Sequence, residues 1–192
     1  VKAIKPKNLY IVADGPRVNV ESDYENCRKT RDVLREIDWD CNLRTKFFDQ
    51  NLGSYEAYVQ GVTWLFSNEE KAIILEDDDL PHSAFFAYCE YFLEKYKSDQ
   101  RIFGISGNNF DSSKNYSRPF FSQIPSAWGW ATWSRTWNTL DFEFSYAELL
   151  KEQKYSKSVF NNIFEHHFFN DYFVSRFKKQ FPPNWDFVLL YN

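Results

Sequence analysis

A hydrocarbon run, Ala72-Ile73-Ile74-Leu75, passes without a break into four carboxylates, Glu76-Asp77-Asp78-Asp79. The first half gains by burial and the second half resists it. A chain satisfies both demands by ending a buried strand at an edge that faces water. The continuous apolar character fits a strand covered on both faces. Like charges this close repel, and each makes the next harder to ionise unless a cation neutralises them. Strand period would put Glu76 and Asp78 on one face and Asp77 on the other. Oxygen donors without a nearby thiolate select a hard ion, Mn2+ or Mg2+. An EF-hand is excluded, because the spaced acids, the glycine and the distal glutamate are missing. The competing reading is a solvated acidic loop that caps a helix starting near His82. His82 itself reads better as a surface residue at that helix start than as a ligand.

The segments around this junction alternate in kind. Residues 8–13 are a short apolar run ended by the turn signal Asp14-Gly15-Pro16. Residues 23–37 have helical period, with Cys27, Val33, Leu34 and Ile37 sharing a face. Residues 41–47 alternate as a strand. A second helix over 54–67 carries Tyr55, Tyr58, Val59, Val62, Leu65 and Phe66 on one side. A third, over 83–97, turns Phe85, Phe86, Cys89, Phe92, Leu93 and Tyr96 inward. Strands are expected at 102–105 and within 128–133, and residues 145–180 read as loosely helical. This alternation predicts an α/β layer fold with a mostly parallel sheet and a single domain over 1–192. Ligands of such sheets collect beyond the carboxyl ends of the strands. Two expected strands end there in acids, at Asp14 and at Glu76–Asp79.

Composition narrows the function classes. Of the 192 residues, 43% are hydrophobic and 26% charged, which is the balance of a folded globular chain. The net charge of -4 argues against a face for nucleic acid. No apolar run is long enough to span a bilayer, and the N-terminus lacks the apolar stretch of a signal peptide. Peripheral association with a membrane stays open. Cys27, Cys41 and Cys89 are odd in number and widely spaced, so free thiols in a reducing, cytoplasmic setting are expected. The sequence has no methionine, which reads as a fragment or a processed chain. Aromatic residues reach 20%, enough to line a sugar site with rings.

Six segments, in the family's order along the chain, resemble glycosyltransferases of the A-type nucleotide-diphospho-sugar fold. Ile73-Ile74-Leu75-Glu76-Asp77-Asp78, with Pro81 and Phe85-Phe86 after it, is similar to the acidic motif of that family. Leu9-Tyr10-Ile11-Val12-Ala13-Asp14-Gly15 looks like its second strand. Asn51-Leu52-Gly53 and Trp64 fit the helix before the acidic strand, and Ile105-Ser106-Gly107-Asn108 fits the strand and loop after it. Ser126-Ala127-Trp128-Gly129-Trp130 is similar to its Gly-Trp segment. Pro183-Asn184-Trp185-Asp186 looks like the Trp-Asp that carries its catalytic carboxylate. The nearest likeness is to the N-acetylglucosaminyltransferase that begins complex N-glycans and to bacterial polysaccharide relatives.

The resemblance implies a Rossmann-like sheet with helices on both faces, incomplete at both ends of this chain. It implies a metal-dependent transfer, with inversion, of a sugar from a nucleotide-sugar donor, UDP-linked by likeness, to a hydroxyl of a glycan or other acceptor. Asp14 would bind the uracil imide, with Gly15, Arg17, Asn51 and Gly53 around the donor. Glu76 and Asp77 would border its ribose and diphosphate, and Asp78 would hold the metal. Trp130 and Trp185 would flank the acceptor, and Asp186 would be the catalytic base. A surface role for Arg17, and a core role for at least half of Trp128, Trp130, Trp133 and Trp137, are the plainer readings of those residues. Two other functions compete. A sugar-nucleotide nucleotidyltransferase would use the same metal chemistry but needs a Gly-rich basic loop that is not evident. A carbohydrate-binding module would use the aromatic rings, but helical periodicity speaks against its usual β-sandwich.

Overall fold

The computed structural model of the protein describes residues 1–108, 118–144 and 184–192. It divides into two compact units, Val1–Thr139 and Leu140–Asn192. Each is described by itself.

The first unit is a mixed α/β structure. Strand β1 (Asn8–Ala13) pairs in parallel with β2 (Asn42–Phe47), Asn8 opposite Asn42 and Ala13 opposite Phe47. Between them run α1 (Glu21–Asp32) and a 3-10 turn over Val33–Glu36. Helix α1 buries no residue completely, yet its ends are well matched to its dipole. Glu21 and Asp23 lie in the first turn, Lys29 and Arg31 in the last. Then follow α2 (Gly53–Phe66), β3 (Lys71–Ile74), α3 (Ser83–Lys95), β4 (Ile105–Ser106), β5 (Trp130–Trp133) and α4 (Ser134–Trp137).

The last three strands form a second sheet in the order β3-β5-β4, with β5 antiparallel to both neighbours. Among the described residues the strands thus make one parallel pair and one antiparallel trio, where a mostly parallel sheet is expected. Hydrophobic period reveals that a segment is extended and which side is buried. It carries no information about the direction in which the strand runs. Strand β4 is also shorter than the expected 102–105. The Phe103 carbonyl accepts from the Thr132 hydroxyl at 2.7 Å and the Ile102 carbonyl from Arg135 at 3.3 Å. These side chains take acceptors that a longer ladder would use.

Helix α2 ties the two sheets together. Against β1, Trp64 meets Tyr10 edge-on at 5.2 Å, and Val12 packs on Gly61. Against the second sheet, the indole N–H of Trp130 reaches the Tyr58 hydroxyl at 3.1 Å, and that of Trp137 reaches Thr63 at 3.0 Å. Ala57, Val62 and Phe66 are buried along the same helix. On the second sheet, α3 lays Cys89 and Leu93 against Ile105, Ala131 and Trp133, with Phe85, Phe92 and Tyr96 at the border. Of the inward face expected for α3, Phe85, Cys89, Phe92, Leu93 and Tyr96 meet this cluster, and Tyr88 joins them where Phe86 was expected. Among the described strands, β1 is bonded only to β2 and β3 only to β5, so each keeps one unpaired edge.

All three cysteines are free, and Cys89 alone is fully buried. Burial pushes its thiol from the ordinary 9.0 up to about 12. Above pH 9 an unfolded chain would lose this proton and the folded chain would keep it. The unfolded state then binds fewer protons, so this group's support for the fold is complete below pH 9 and fades as pH rises toward 12. Iodoacetamide at pH 8 is expected to label Cys27 and Cys41 in the native protein and to spare Cys89 until denaturant is added. Mass spectrometry of tryptic peptides reads the order directly. Equal labelling of all three would contradict the packing of α3.

Of the second unit, the described parts are residues 140–144 and 184–192. A short helix, α5 (Asp186–Tyr191), follows Trp185. Phe187 and Val188 are buried, and Phe187 meets Phe144 at 6.2 Å. The Asn192 side chain accepts from the Asp141 N–H at 2.8 Å and donates to the Val188 carbonyl at 3.0 Å. The helical pattern expected over 145–180 lies outside the described residues. No helix of the described residues is long and apolar enough to cross a membrane.

Candidate functional site

The hydrocarbon run folds as β3, and the strand ends at Ile74, one residue earlier than its composition suggests. The carboxylates consequently sit in a turn, not on alternate faces of a strand. The turn is closed twice. The Asp79 carboxylate accepts the Glu76 N–H at 2.9 Å, and the Asp79 N–H returns to the Glu76 carbonyl at 3.2 Å. Asp79 is thereby a structural member of the cluster. Asp77 and Asp78 stand exposed at the tip. Helix α3 is capped by His82, whose Nδ1 accepts from the Ala84 N–H at 3.2 Å, and its first turn holds no acid. Capping therefore does not account for the carboxylates, and His82 has the helix-start role expected of it.

Two other segments leave the second sheet beside this turn. In the ladder, Ile74 and Ser106 both face Trp130. The next residues outward are Leu75-Glu76, Gly107-Asn108 and Gly129-Trp128. Gly129 has φ 64, a conformation that L side chains rarely adopt. An ideal Cβ on Gly129 would stand 3.6 Å from Leu75 and 3.8 Å from the Asp79 carboxylate. The Asn108 amide donates to the Trp128 carbonyl and reaches the Ser126 hydroxyl at 3.5 Å. The rim of the site is therefore a turn of acids bordered by two loops cross-linked through Asn108.

A second cluster gathers around Asp14. Its carboxylate accepts from the N–H of Gly15 at 2.7 Å, Leu52 at 2.9 Å and Gly53 at 3.0 Å, and from the Asn51 amide at 2.8 Å. Four donors match the four lone-pair sites of a carboxylate. Asp14 thus serves the orphan N–H groups at the start of α2, a side chain from another element doing the work of a cap. The carboxylate expected to meet a uracil imide is thus engaged by the chain's own donors. Gly15 must approach closely, since a Cβ there would lie 2.5 Å from the Gln50 backbone. Arg17 pairs with Asp23 through Nε at 2.7 Å and with the Asp23 side chain through its own N–H at 3.1 Å. That pair holds the entry to α1, the plainer of the two roles open to Arg17. It also keeps the Asp23 carboxyl below its usual range.

Both clusters connect to α2. Asp14 holds the helix start at Gly53. Tyr58, five residues on or about 7.5 Å along the axis, holds Trp130, which pairs with the last residue of β3. The structure brings together Asp14, Gly15, Asn51 and Gly53 in one cluster, and Glu76, Asp77 and Asp78 with Asn108 and Trp128 in the other. Trp130 and Trp185, expected beside an acceptor, are 2% and 6% exposed and belong to the core. Trp133 and Trp137 are buried as well, whereas Trp128 is 57% exposed. Asp186 is the first residue of α5 in the second unit, where a carboxylate favours the helix dipole. Asn108 and Trp128 were present only as members of longer motifs; the Gly-Asn and Trp-Gly pairs at strand ends were the available signals.

Among the described residues no three His, Cys, Asp or Glu side chains converge as a metal cage. The donor set at the tip of the turn is nonetheless all oxygen and exposed, which fits a hard ion completed by oxygens of a ligand. A comparison with protein-family models, curated proteins and solved structures returns no match.

Proposed function

We propose that the chain is the nucleotide-sugar-binding core of a metal-dependent glycosyltransferase. Its two sheets would be parts of one A-type, Rossmann-like layer. The observation that carries this reading is the exposed Asp77-Asp78 tip, in the turn that borders Trp128-Gly129, with the Gly107-Asn108 loop on the far side of that segment. Carboxylates at strand ends beside an open rim suit a diphosphate held through Mn2+ or Mg2+. Asp78 would be the protein ligand. The ion, when bound, offsets charge on the departing nucleotide diphosphate.

The chain's own residues do the rest. Glu76 and Asp77 border the donor, and Asn51 and Gly53 stay fixed by Asp14 so that the loop before α2 keeps its shape. A carboxylate would take the proton of the acceptor hydroxyl while its oxygen attacks the anomeric carbon and the bond to the diphosphate breaks. General base catalysis of this kind is worth about 10²–10⁴-fold in rate. One base suffices for inversion.

Thermal-shift screening of UDP-, GDP- and dTDP-sugars tests the reading. A ligand that binds only the folded state raises the melting temperature by mass action. The expected result is a shift with at least one nucleotide-sugar in Mn2+ that disappears in EDTA. No shift with any nucleotide-sugar in either condition sinks the proposal.

A further inference from the structure

Seven tryptophans are described, and they differ in one respect. Trp130, Trp133, Trp137 and Trp185 are buried, Trp39 and Trp64 are half-buried, and Trp128 is 57% exposed. An indole left in water forgoes a burial gain of a few kcal/mol, about the largest any side chain offers. The segment that carries it is not slack. The Trp128 carbonyl is held by the Asn108 amide, and the next residue, Gly129, is buried and leads straight into β5. Gly129 also lies against the acidic turn, its ideal Cβ 3.8 Å from the Asp79 carboxylate. Consecutive Cα atoms are about 3.8 Å apart. Trp128 is therefore anchored next to the residue that borders the Asp79 carboxylate, on a loop held by Asn108 and by β5.

We propose that Trp128 is a platform on which a neutral pyranose stacks, with carboxylates of the acidic turn accepting its hydroxyl hydrogens. A pyranose presents a face of C–H bonds that suits the negative face of an indole, and a rim of hydroxyls that suits acceptor-only carboxylates. The charge of Asp77 and Asp78 disfavours an anionic sugar at the same place. As an acceptor subsite the platform rests on the sugar-transfer reading. Its binding chemistry does not require a nucleotide, so the two can be separated by experiment.

The test uses the whole chain and saturation-transfer NMR with the methyl glycosides of glucose, galactose and N-acetylglucosamine, and with methyl glucuronide as the charged control. Trp128→Phe and Trp128→Ala are compared with the native protein, together with UDP binding in Mn2+. The expected result is binding of a neutral glycoside that weakens about tenfold in Trp128→Ala, as loss of one stacked ring implies. Trp128→Phe keeps most of it, and the glucuronide binds less well. Equal glycoside binding by native protein and Trp128→Ala overturns the platform, as does UDP binding without binding of any neutral glycoside. Glycoside binding that depends on Trp128, without UDP binding, supports the platform and removes the transferase reading in favour of a carbohydrate-binding module.

Discussion

Asp14→Ala is expected to destabilise the first unit by about 3 kcal/mol, roughly a 150-fold change in the folding equilibrium. The carboxylate holds Asn51, Leu52, Gly53 and its own neighbour Gly15 through four hydrogen bonds of 2.7 to 3.0 Å. Loss of a helix cap alone costs about 0.5–2 kcal/mol. Here the acceptor is charged and serves two N–H groups at the start of α2. Helix α2 is the element that packs on both sheets, so a frayed start is felt at Trp130 through Tyr58. Asp14→Asn should recover little, because an amide replaces one acceptor oxygen with donors that would face other donors. The matched control is Asp77→Ala at the exposed tip, expected within about 0.5 kcal/mol of the native protein. Urea denaturation followed by circular dichroism measures all three. If Asp14→Ala is as stable as the control and only loses affinity for nucleotide, Asp14 is a ligand-binding residue and its place in the fold has been misjudged.

Much of the element order was legible because hydrophobic period is a local signal. Residues 8–13 are the strand that their apolar run implies, and the face of α3 bearing Phe85, Cys89, Phe92 and Leu93 meets the sheet as expected. What could not be read depends on contacts between distant residues. The antiparallel course of β5 is one case, since Trp130–Trp133 has the same composition whichever way it runs. The employment of Asp14 is another, because its partners at 51–53 are nearly forty residues away in sequence. The tryptophans are the clearest example. Trp128 and Trp130 are two residues apart, and in an extended segment two residues apart means the same side. The chain breaks that rule at Gly129, whose φ of 64 ends the extended course and separates an exposed ring from a buried one. The acidic cluster was legible as carboxylates at a strand end but not as a turn. Its four acids look equivalent in sequence, and only the Asp79 bond to Glu76 shows that one of them builds the loop while Asp77 and Asp78 form its tip.

The tip is where the functional account stands or falls. Asp78→Ala is expected to abolish Mn2+-dependent binding of nucleotide diphosphate and to leave the fold intact, because Asp78 is exposed and lies outside both closing bonds of the turn. Affinity for the metal alone should be weak in the native protein, since one or two carboxylates make a poor cage and ligand oxygens must complete it. Asp79→Ala should behave differently, loosening the turn itself and lowering stability as well as binding. The deciding measurement is isothermal titration of UDP into the native protein and Asp78→Ala, each in Mn2+ and in EDTA. The account predicts binding by the native protein in Mn2+ only, and at least a hundredfold loss, about 2.7 kcal/mol, in Asp78→Ala. Unchanged Mn2+-dependent affinity in Asp78→Ala, with the variant folded, would contradict it.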